Sequence, residues 1–511
     1  MPLPDALRAM HYPDDQEHAD AARSRLAFDE LLTLHPPCCA AAPSGRPTVR
    51  AGHGDAGRVG GGVPGVAALQ PHRRAAAGDR RRAADLGRAV PMACLVQGDV
   101  GSGKTAVAAA ALLVAVANGH QAALMAPTEI LAEQHFQTLC RLFGGAAVDG
   151  PVAVCTPPYL DRPLRIGLLR GGLGARAKAQ AQKAFAAGEV DIAVGTHALI
   201  QADVTLPRLG LAVVDEQHRF GVAQRAALKG SQARPPHMLV MTATPIPRTL
   251  ALTLYGDLDV SVIDEAPPGR LPVRTLVVQS HERDAAYNFM IEQLRAGRQV
   301  FVICPLVEES ETLEVRAATA EYERLQEVFT SASIALLHGR MPPAKKDEVM
   351  REFRDRLFDV LVSTAVVEVG IDVPNATVIM IEGAERFGLA QLHQFRGRVG
   401  RGAHQSYCFL MADGVSDEAR ERLQLMEAIG DGFRLAEEDL RLRGPGEYFG
   451  TRQSGLPELK VAGPADTRLL EHARAVADAA LAPDPSLRST PFAGYAATVE
   501  RILRGAGGDM S

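Results

Sequence analysis

Eight residues constrain this chain more than any others. Gly98-Asp99-Val100-Gly101-Ser102-Gly103-Lys104-Thr105 matches G-x-x-x-x-G-K-[ST], follows the strand-like run ACLVQ and opens the helix-like run KTAVAAAALLVAV. The glycines let backbone N–H groups curl round phosphate oxygens, and a helix N-terminus adds positive potential there. In that geometry Lys104 reaches the β- and γ-phosphates of ATP and the Thr105 hydroxyl ligates Mg2+. Gly98, Gly101, Ser102, Gly103, Lys104 and Thr105 are therefore the candidate nucleotide contacts. Such a site needs a second acidic motif to hold the metal and activate water. Val213-Val214-Asp215-Glu216-Gln217-His218 supplies it at a strand end, with Asp215 on Mg2+ through water and Glu216 polarising the attacking water.

The text around these motifs alternates strand and helix patterns. Strands are expected at 94–97, 122–126, 165–169, 191–194, 211–214 and 238–241, with helices near 104–117, 129–143, 175–187 and 221–228. After the Pro/Gly-rich break EAPPGRLPV (265–273) a second set follows. Its strands are expected at 274–278, 299–304, 334–337, 359–363, 377–381 and 406–410, and its helices near 282–296, 319–331, 343–355 and 389–395. Strand–helix alternation marks parallel sheets covered on both faces. Residues 3–34 read as helical with a loop at 11–17, carrying an apolar face at Leu26, Phe28, Leu31 and Leu32. Residues 413–511 read as largely helical with a Gly-rich loop at 443–455. No internal repeat stands out.

Composition removes several classes. With 47% apolar and 23% charged residues, the chain is ordinary globular protein. The apolar runs near 105–117 and 359–371 fall short of the roughly 18 residues a membrane span needs, and the N-terminus has no signal-peptide pattern. Seven scattered cysteines without metal spacing fit a reducing cytoplasm. A net charge of −5 argues against a wholly basic coat protein and leaves room for a local basic groove.

The ordered set of motifs resembles superfamily 2 helicases and translocases. Ala126-Pro127-Thr128-Glu129 and Val194-Gly195-Thr196-His197 resemble the first-lobe loops that hold a nucleic-acid backbone, which implies Pro127, Thr128, Thr196 and His197 as DNA contacts. Thr242-Ala243-Thr244-Pro245 resembles the loop coupling nucleotide state to strand grip, which, with His218, implies Thr242 and Thr244 in that role. Ser363-Thr364 through Val369-Gly370-Ile371-Asp372 resembles the second-lobe motif touching both DNA (Thr364) and ATP (Gly370, Asp372). Gln394-Phe395-Arg396-Gly397-Arg398-Val399-Gly400-Arg401 resembles the arginine-finger motif, implying catalytic roles for Gln394, Arg398 and Arg401.

DEQHRFGVAQR (215–225), TATPIPRTLALTLYGDLDVSVIDEAPPGR (242–270) and AERFGLAQLHQFRGRVGRG (384–402) are similar to the RecG family of ATP-dependent DNA helicases. The transcription-repair coupling factor shares much of this. Residues 432–455, including Arg452 and Gln453, resemble the translocation motif of those two families, a helical hairpin and loop that drive motion on duplex DNA. LPDALRAMHYPDD followed by RLAFDELL resembles the RecG segment leading into the motor and separates the two. The resemblance implies an α/β fold: two RecA-like parallel-sheet lobes in tandem (85–264 and 265–412), a mostly helical extension (413–511) and a helical remnant of the preceding linker (1–36). It implies a cytoplasmic, monomeric translocase on duplex DNA that remodels branched DNA such as stalled forks and Holliday junctions. A catalytically defective fragment that binds DNA or nucleotide, and an RNA helicase, are the alternatives.

The chain departs from the family pattern in places. No five-stranded pattern for the family's N-terminal wedge domain occurs in 1–90, so the chain is expected to start after it. Leu169-Arg170-Gly171-Gly172 replaces a Thr-Gly-Ser tendency. No Leu-Thr-x-x-Gln-like adenine-reading element precedes the P-loop. Where it belongs, residues 37–90 lack Ile, Phe, Tyr, Met, Lys, Glu and Asn and hold nine Arg against three Asp. Arg outnumbers Lys 48 to 7 over the whole chain, the mark of GC-rich coding DNA. The flanking matches keep their separation, so 37–84 reads as irregular and as an out-of-frame translation between two compensating frame shifts.

Overall fold

The computed structural model describes residues 1–40, 91–145, 151–158, 160–200, 204–216, 235–242, 258–264, 271–305, 311–364, 373–450, 461 and 467–481. The expected helix at 221–228, residues 41–84 of the arginine-rich stretch, and His218, Thr244, Gly370, Asp372, Arg452 and Gln453 lie outside them. The chain divides into two compact units, 54–245 with 261–436, and 1–53 with 246–260 and 437–511.

At the N-terminus, α1 (Leu3–His11) and α2 (Gln16–Ala40) flank the expected loop. α2 runs through residue 40, so 37–40 are helical and not irregular. The backbone stays helical there although Pro36 and Pro37 bring no N–H to the ladder.

The first sheet contains β1 (Ala93–Gly98), β2 (Gln121–Met125), β3 (Val152–Cys155), β4 (Leu164–Leu169), β5 (Ile192–Gly195), β6 (Leu209–Asp215), β7 (His237–Thr242) and β8 (Asp259–Ile263), in the order β3-β4-β5-β2-β6-β7-β1-β8. Between them lie α3 (Lys104–Ala117), α4 (Glu129–Leu142) and α5 (Ala175–Ala186). β2, β5 and β7 are almost wholly buried apolar runs, as parallel strands covered on both faces must be. β3 and β8 were not expected from sequence. β3 pairs antiparallel with β4, and at four residues it is too short for its alternation to register.

The second sheet contains β9 (Arg274–Val278), β10 (Gln299–Ile303), β11 (Ile334–Leu337), β12 (Val360–Ser363), β13 (Ala376–Ile381) and β14 (Tyr407–Met411), ordered β11-β12-β10-β13-β14-β9 and parallel throughout. Its helices are α6 (Arg283–Arg295), α7 (Glu311–Val328), α8 (Pro343–Arg354) and α9 (Leu389–Arg396). Then come α10 (Asp417–Ala428), N-capped by Ser416, and α11 (Gly432–Gly450). α11 passes through Gly444-Pro445-Gly446, where a loop was expected from 443. Gly and Pro propensities are a local preference that the surrounding chain can override.

The two sheets repeat one another, and the repeat is written in the sequence once the structure aligns it. Gly119-His120-Gln121 and Gly297-Arg298-Gln299 each leave a helix through a left-handed glycine, φ 81° and 74°, and enter the middle strand. Each strand then slips by one residue against its neighbour, between Gln121 and Ala122 and between Gln299 and Val300. Both glutamines are buried and work alike. Gln121 Nε2 donates to the carbonyls of Phe185 and Val190, and its oxygen accepts from Arg208 N. Gln299 Nε2 donates to the carbonyls of Phe353 and Phe358, and its oxygen accepts from Asn375 Nδ2. Phe185 and Phe353 are both fully buried, and left-handed Gly188 (φ 69°) answers left-handed Arg356 (φ 64°). Gln299→Leu fills the same volume and leaves these partners unsatisfied, so it should cost about 2–3 kcal/mol of stability, measured by chemical denaturation.

The repeat ends in a contrast. At the strand ends, Asp215 closing β6 and Glu216 after it correspond to Glu382-Gly383 after β13, with Glu216 and Gly383 both left-handed, φ 54° and 57°. In the second sheet the carboxylate is already taken. Arg283, at the start of α6, grips Glu382 with both terminal nitrogens, 2.5 and 2.9 Å, and Arg324 adds a third contact. This hold raises the Arg283 pKa.

In the other unit, Ala27, Leu31 and Leu32 of α2 pack on Ala473 and Ala477 of α12 (Thr467–Leu481), with Phe28 set 5.2 Å from the His472 ring. Glu30 accepts a hydrogen bond from Val461 N. The helical face expected from Leu26 to Leu32 is therefore a helix–helix contact.

Candidate active site

β1 ends at Gly98, and left-handed Gly101 and Gly103 (φ 76° and 93°) turn the chain into α3. Only glycine holds such angles without strain. A side chain on Gly98 would run into Ser102 Oγ and Ile263. Ser102 Oγ is buried and has no hydrogen-bond partner among the described residues, so it is left as a donor aimed into the loop. Lys104 Nζ donates to the carbonyls of Gly98 and Asp99 at 2.8 and 2.9 Å. Burial lowers its pKa, Glu216, Asp215 and Asp99 pull it back up, and Arg401 pushes it down.

The acidic motif lies beside it. Asp215 Oδ2 is 2.8 Å from Nε2 of His135 on α4. Glu216 holds a left-handed backbone, φ 54°, a conformation that costs a non-glycine residue of order 1–3 kcal/mol. Its amide donates to Met241 O, and its carboxylate accepts from Thr242 Oγ1 at 3.4 Å. His135 was missed from sequence. It occupies the buried face of α4 with Leu131, Ala132, Phe136 and Leu139, and a histidine among apolar residues at that spacing was the available signal.

The second sheet contributes α9 and the loop after it. His393 Nε2 lies 2.7 Å from Asp99 Oδ1. A Cβ on Gly397 would touch Val100 at 2.9 Å, so the two loops are in close approach. Arg401 Nε donates to Gly397 O, and the guanidinium is close enough to act on Lys104. Arg398 is buried. Arg396, which carried no separate role in the sequence reading, is buried and turned toward residues 426–430. Lys104, Asp215, Glu216, Thr242 and Arg401 thus come together, and Gln394 sits next to His393 on α9.

The loops assigned to nucleic acid follow strand ends in both sheets. Thr128 N-caps α4, its oxygen accepting from Leu131 N. Pro127 is half-buried beside it. Thr196 is buried, His197 is exposed, and Thr364 Oγ1 is buried without a hydrogen-bond partner among the described residues. The amides of Gly171 and Gly172 donate to the two carboxylate oxygens of Glu129 at 2.9 and 3.2 Å. In the segment that departs from Thr-Gly-Ser, that carboxylate takes both backbone donors.

Comparison with known proteins fits this arrangement. Residues 88–253 match the DEAD/DEAH box helicase model, 283–403 the helicase conserved C-terminal domain, and 429–495 the ATP-dependent DNA helicase RecG, domain 3, C-terminal model. The ATP-dependent DNA helicase RecG of Bacillus subtilis (strain 168) is 44% identical over 501 residues, covering 96% of this chain and 70% of that protein. The chain belongs to the RecG family. The RecG of Synechocystis sp. is 46% identical over 498 residues, and the chain spans 57% of its length. A solved structure of RecG bound to a three-way DNA junction aligns with a TM-score of 0.69 and 38% identity, over 91% of this chain and 59% of that one. The two-lobe fold and the family expected from the motifs therefore stand. Among the described residues no helix is long and apolar enough to cross a membrane.

Proposed function

We propose that this RecG-family chain is an ATP-driven motor that moves on duplex DNA and remodels branched DNA such as stalled forks and Holliday junctions, acting as a cytoplasmic monomer. The observation that carries this reading is the meeting of the two lobes at the P-loop, where His393 lies 2.7 Å from Asp99, Gly397 closely approaches Val100, and Arg401 of the second lobe lies near Lys104 of the first. Lys104 and the loop amides hold the β- and γ-phosphates. Glu216 orients the attacking water, and Arg401 with Arg398 neutralises charge growing on the transferred phosphoryl group. The Thr242 hydroxyl, bonded to Glu216, would sense whether the phosphate is present, a role the hydrogen bond supports. Pro127, Thr128, Thr196, His197 and Thr364, with Arg452 and Gln453, would grip backbone phosphates, which give affinity without sequence information.

One hydroxyl and one carboxylate, Thr105 and Asp215, suit Mg2+, which completes its shell with water and substrate phosphates. Bound there it would neutralise charge between the β- and γ-phosphates. His135 fixes the Asp215 carboxylate that faces it. His135→Ala should raise the Mg2+ concentration for half-maximal ATPase about tenfold, read by titration at saturating ATP.

The direct test compares ATPase stimulation by linear duplex, branched DNA and RNA, with Lys104→Ala as control. Stimulation greatest on branched DNA is expected. Turnover no higher than the Lys104→Ala control would leave a nucleotide- or DNA-binding fragment, and stimulation by RNA alone would leave an RNA helicase.

A further inference from the structure

Arg396 uses four terminal N–H groups. Nη1 donates to the carbonyls of Met426 and Ile429 at 2.9 and 2.8 Å, and Nη2 donates to Gly430 O and to His393 Nδ1, both at 2.9 Å. A guanidinium can only donate, so Nδ1 of His393 must accept. The hydrogen of the neutral ring then sits on Nε2, and it points at Asp99 Oδ1, 2.7 Å away. Asp99 Oδ1 also accepts from the amide of Val100 inside the P-loop, at 2.6 Å. On the far side, Asp431 Oδ1 takes the amides of Phe433 and Arg434 and starts α11.

These bonds form one continuous path from the nucleotide loop, through His393 and Arg396, to the turn joining α10 and α11. His393 and Arg396 in the middle of the path are 3% and 5% exposed, so little water competes there, while the Asp99 side chain at its end is 35% exposed. We propose that His393 is a positioning residue: it holds the P-loop through Asp99 and ties that loop's position to the 426–431 turn, so that separation of the lobes breaks one defined hydrogen bond. The inference deepens the motor reading and rests on it.

The ring offers one acceptor and one donor, and a glutamine amide carries the same pair. His393→Gln should therefore keep both bonds, while His393→Leu fills the space and keeps neither. His393→Leu is expected to lower kcat for DNA-stimulated ATPase about tenfold, with KM for ATP moving less, and His393→Gln to recover most of it. Asp99→Ala should share most of the His393→Leu loss, and the double variant should fall well short of the product of the two, since the His393–Asp99 bond is lost in both.

The same four proteins are also assayed for affinity toward a fluorescent non-hydrolysable ATP analogue. Turnover no higher than Lys104→Ala would sink the motor reading alone, and the affinity cycle would still judge the bond. His393→Leu and Asp99→Ala effects that multiply in the double variant overturn the proposal, as does a His393→Gln variant as impaired as His393→Leu. If His393→Leu fails to fold, judged by its melting curve, Asp99→Ala and His393→Gln decide the matter. Loss in the first with recovery in the second supports the bond, and equal behaviour overturns it.

Discussion

Arg401→Ala is expected to cut kcat for ATP hydrolysis about a thousandfold while ATP affinity changes by less than about tenfold. The side chain belongs to the second lobe, is held by Gly397 O through Nε, and lies near enough to Lys104 to push its pKa down. A group placed this way meets charge that grows only as the phosphoryl group transfers, so its removal falls on the chemical step. Arg401→Lys should recover little, because a point charge lacks the planar fork. Steady-state turnover and binding of a fluorescent ATP analogue, measured on the same preparations, separate the two effects. A kcat within tenfold of the unaltered chain would remove Arg401 from the site.

The second large effect is on stability. Arg396→Ala strips donors from the carbonyls of Met426, Ile429 and Gly430 and from His393 Nδ1. The Met426 and His393 partners are buried, and a loss of about 3 kcal/mol is expected. Cations near helix ends commonly satisfy such terminal carbonyls, and here the helix is α10. Lysine at 396 should recover less than half of the loss, since an ammonium on one stem cannot span acceptors set by a fork. Hydrogen exchange should place the loosening at residues 425–435. A melting temperature within about 2 °C of the unaltered chain, well below the shift a loss of this size brings, would contradict this account.

Much of the architecture was legible beforehand because buried parallel strands are continuous apolar runs. β9 and β11 fall on their expected bounds, and α3 begins at Lys104, where the glycines of the P-loop must release the chain. β3 escaped because four alternating residues carry no distinguishable period. The helical backbone through Gly444-Pro445-Gly446 escaped because composition there argues for a turn. At the site, Lys104, Asp215 and Glu216 could be named because phosphate and metal chemistry demand those groups at those spacings. His135 and His393 could not. Their roles depend on partners 80 and 294 residues away, and a single histidine at core spacing does not announce its partner. The repeat between the sheets was hidden for a related reason: it rests on a few buried residues, the glutamines, phenylalanines and left-handed positions, separated by unrelated surface sequence.

The Arg283–Glu382 clasp makes the two lobes unlike where their folds match. Two interchangeable lobes would each be able to seat a nucleotide. In the second lobe the carboxylate equivalent to Asp215 is shut by an arginine from the same lobe, standing where the first lobe has the start of α3. Among the described residues the P-loop site thus has no twin: in the second lobe an arginine already occupies the matching carboxylate.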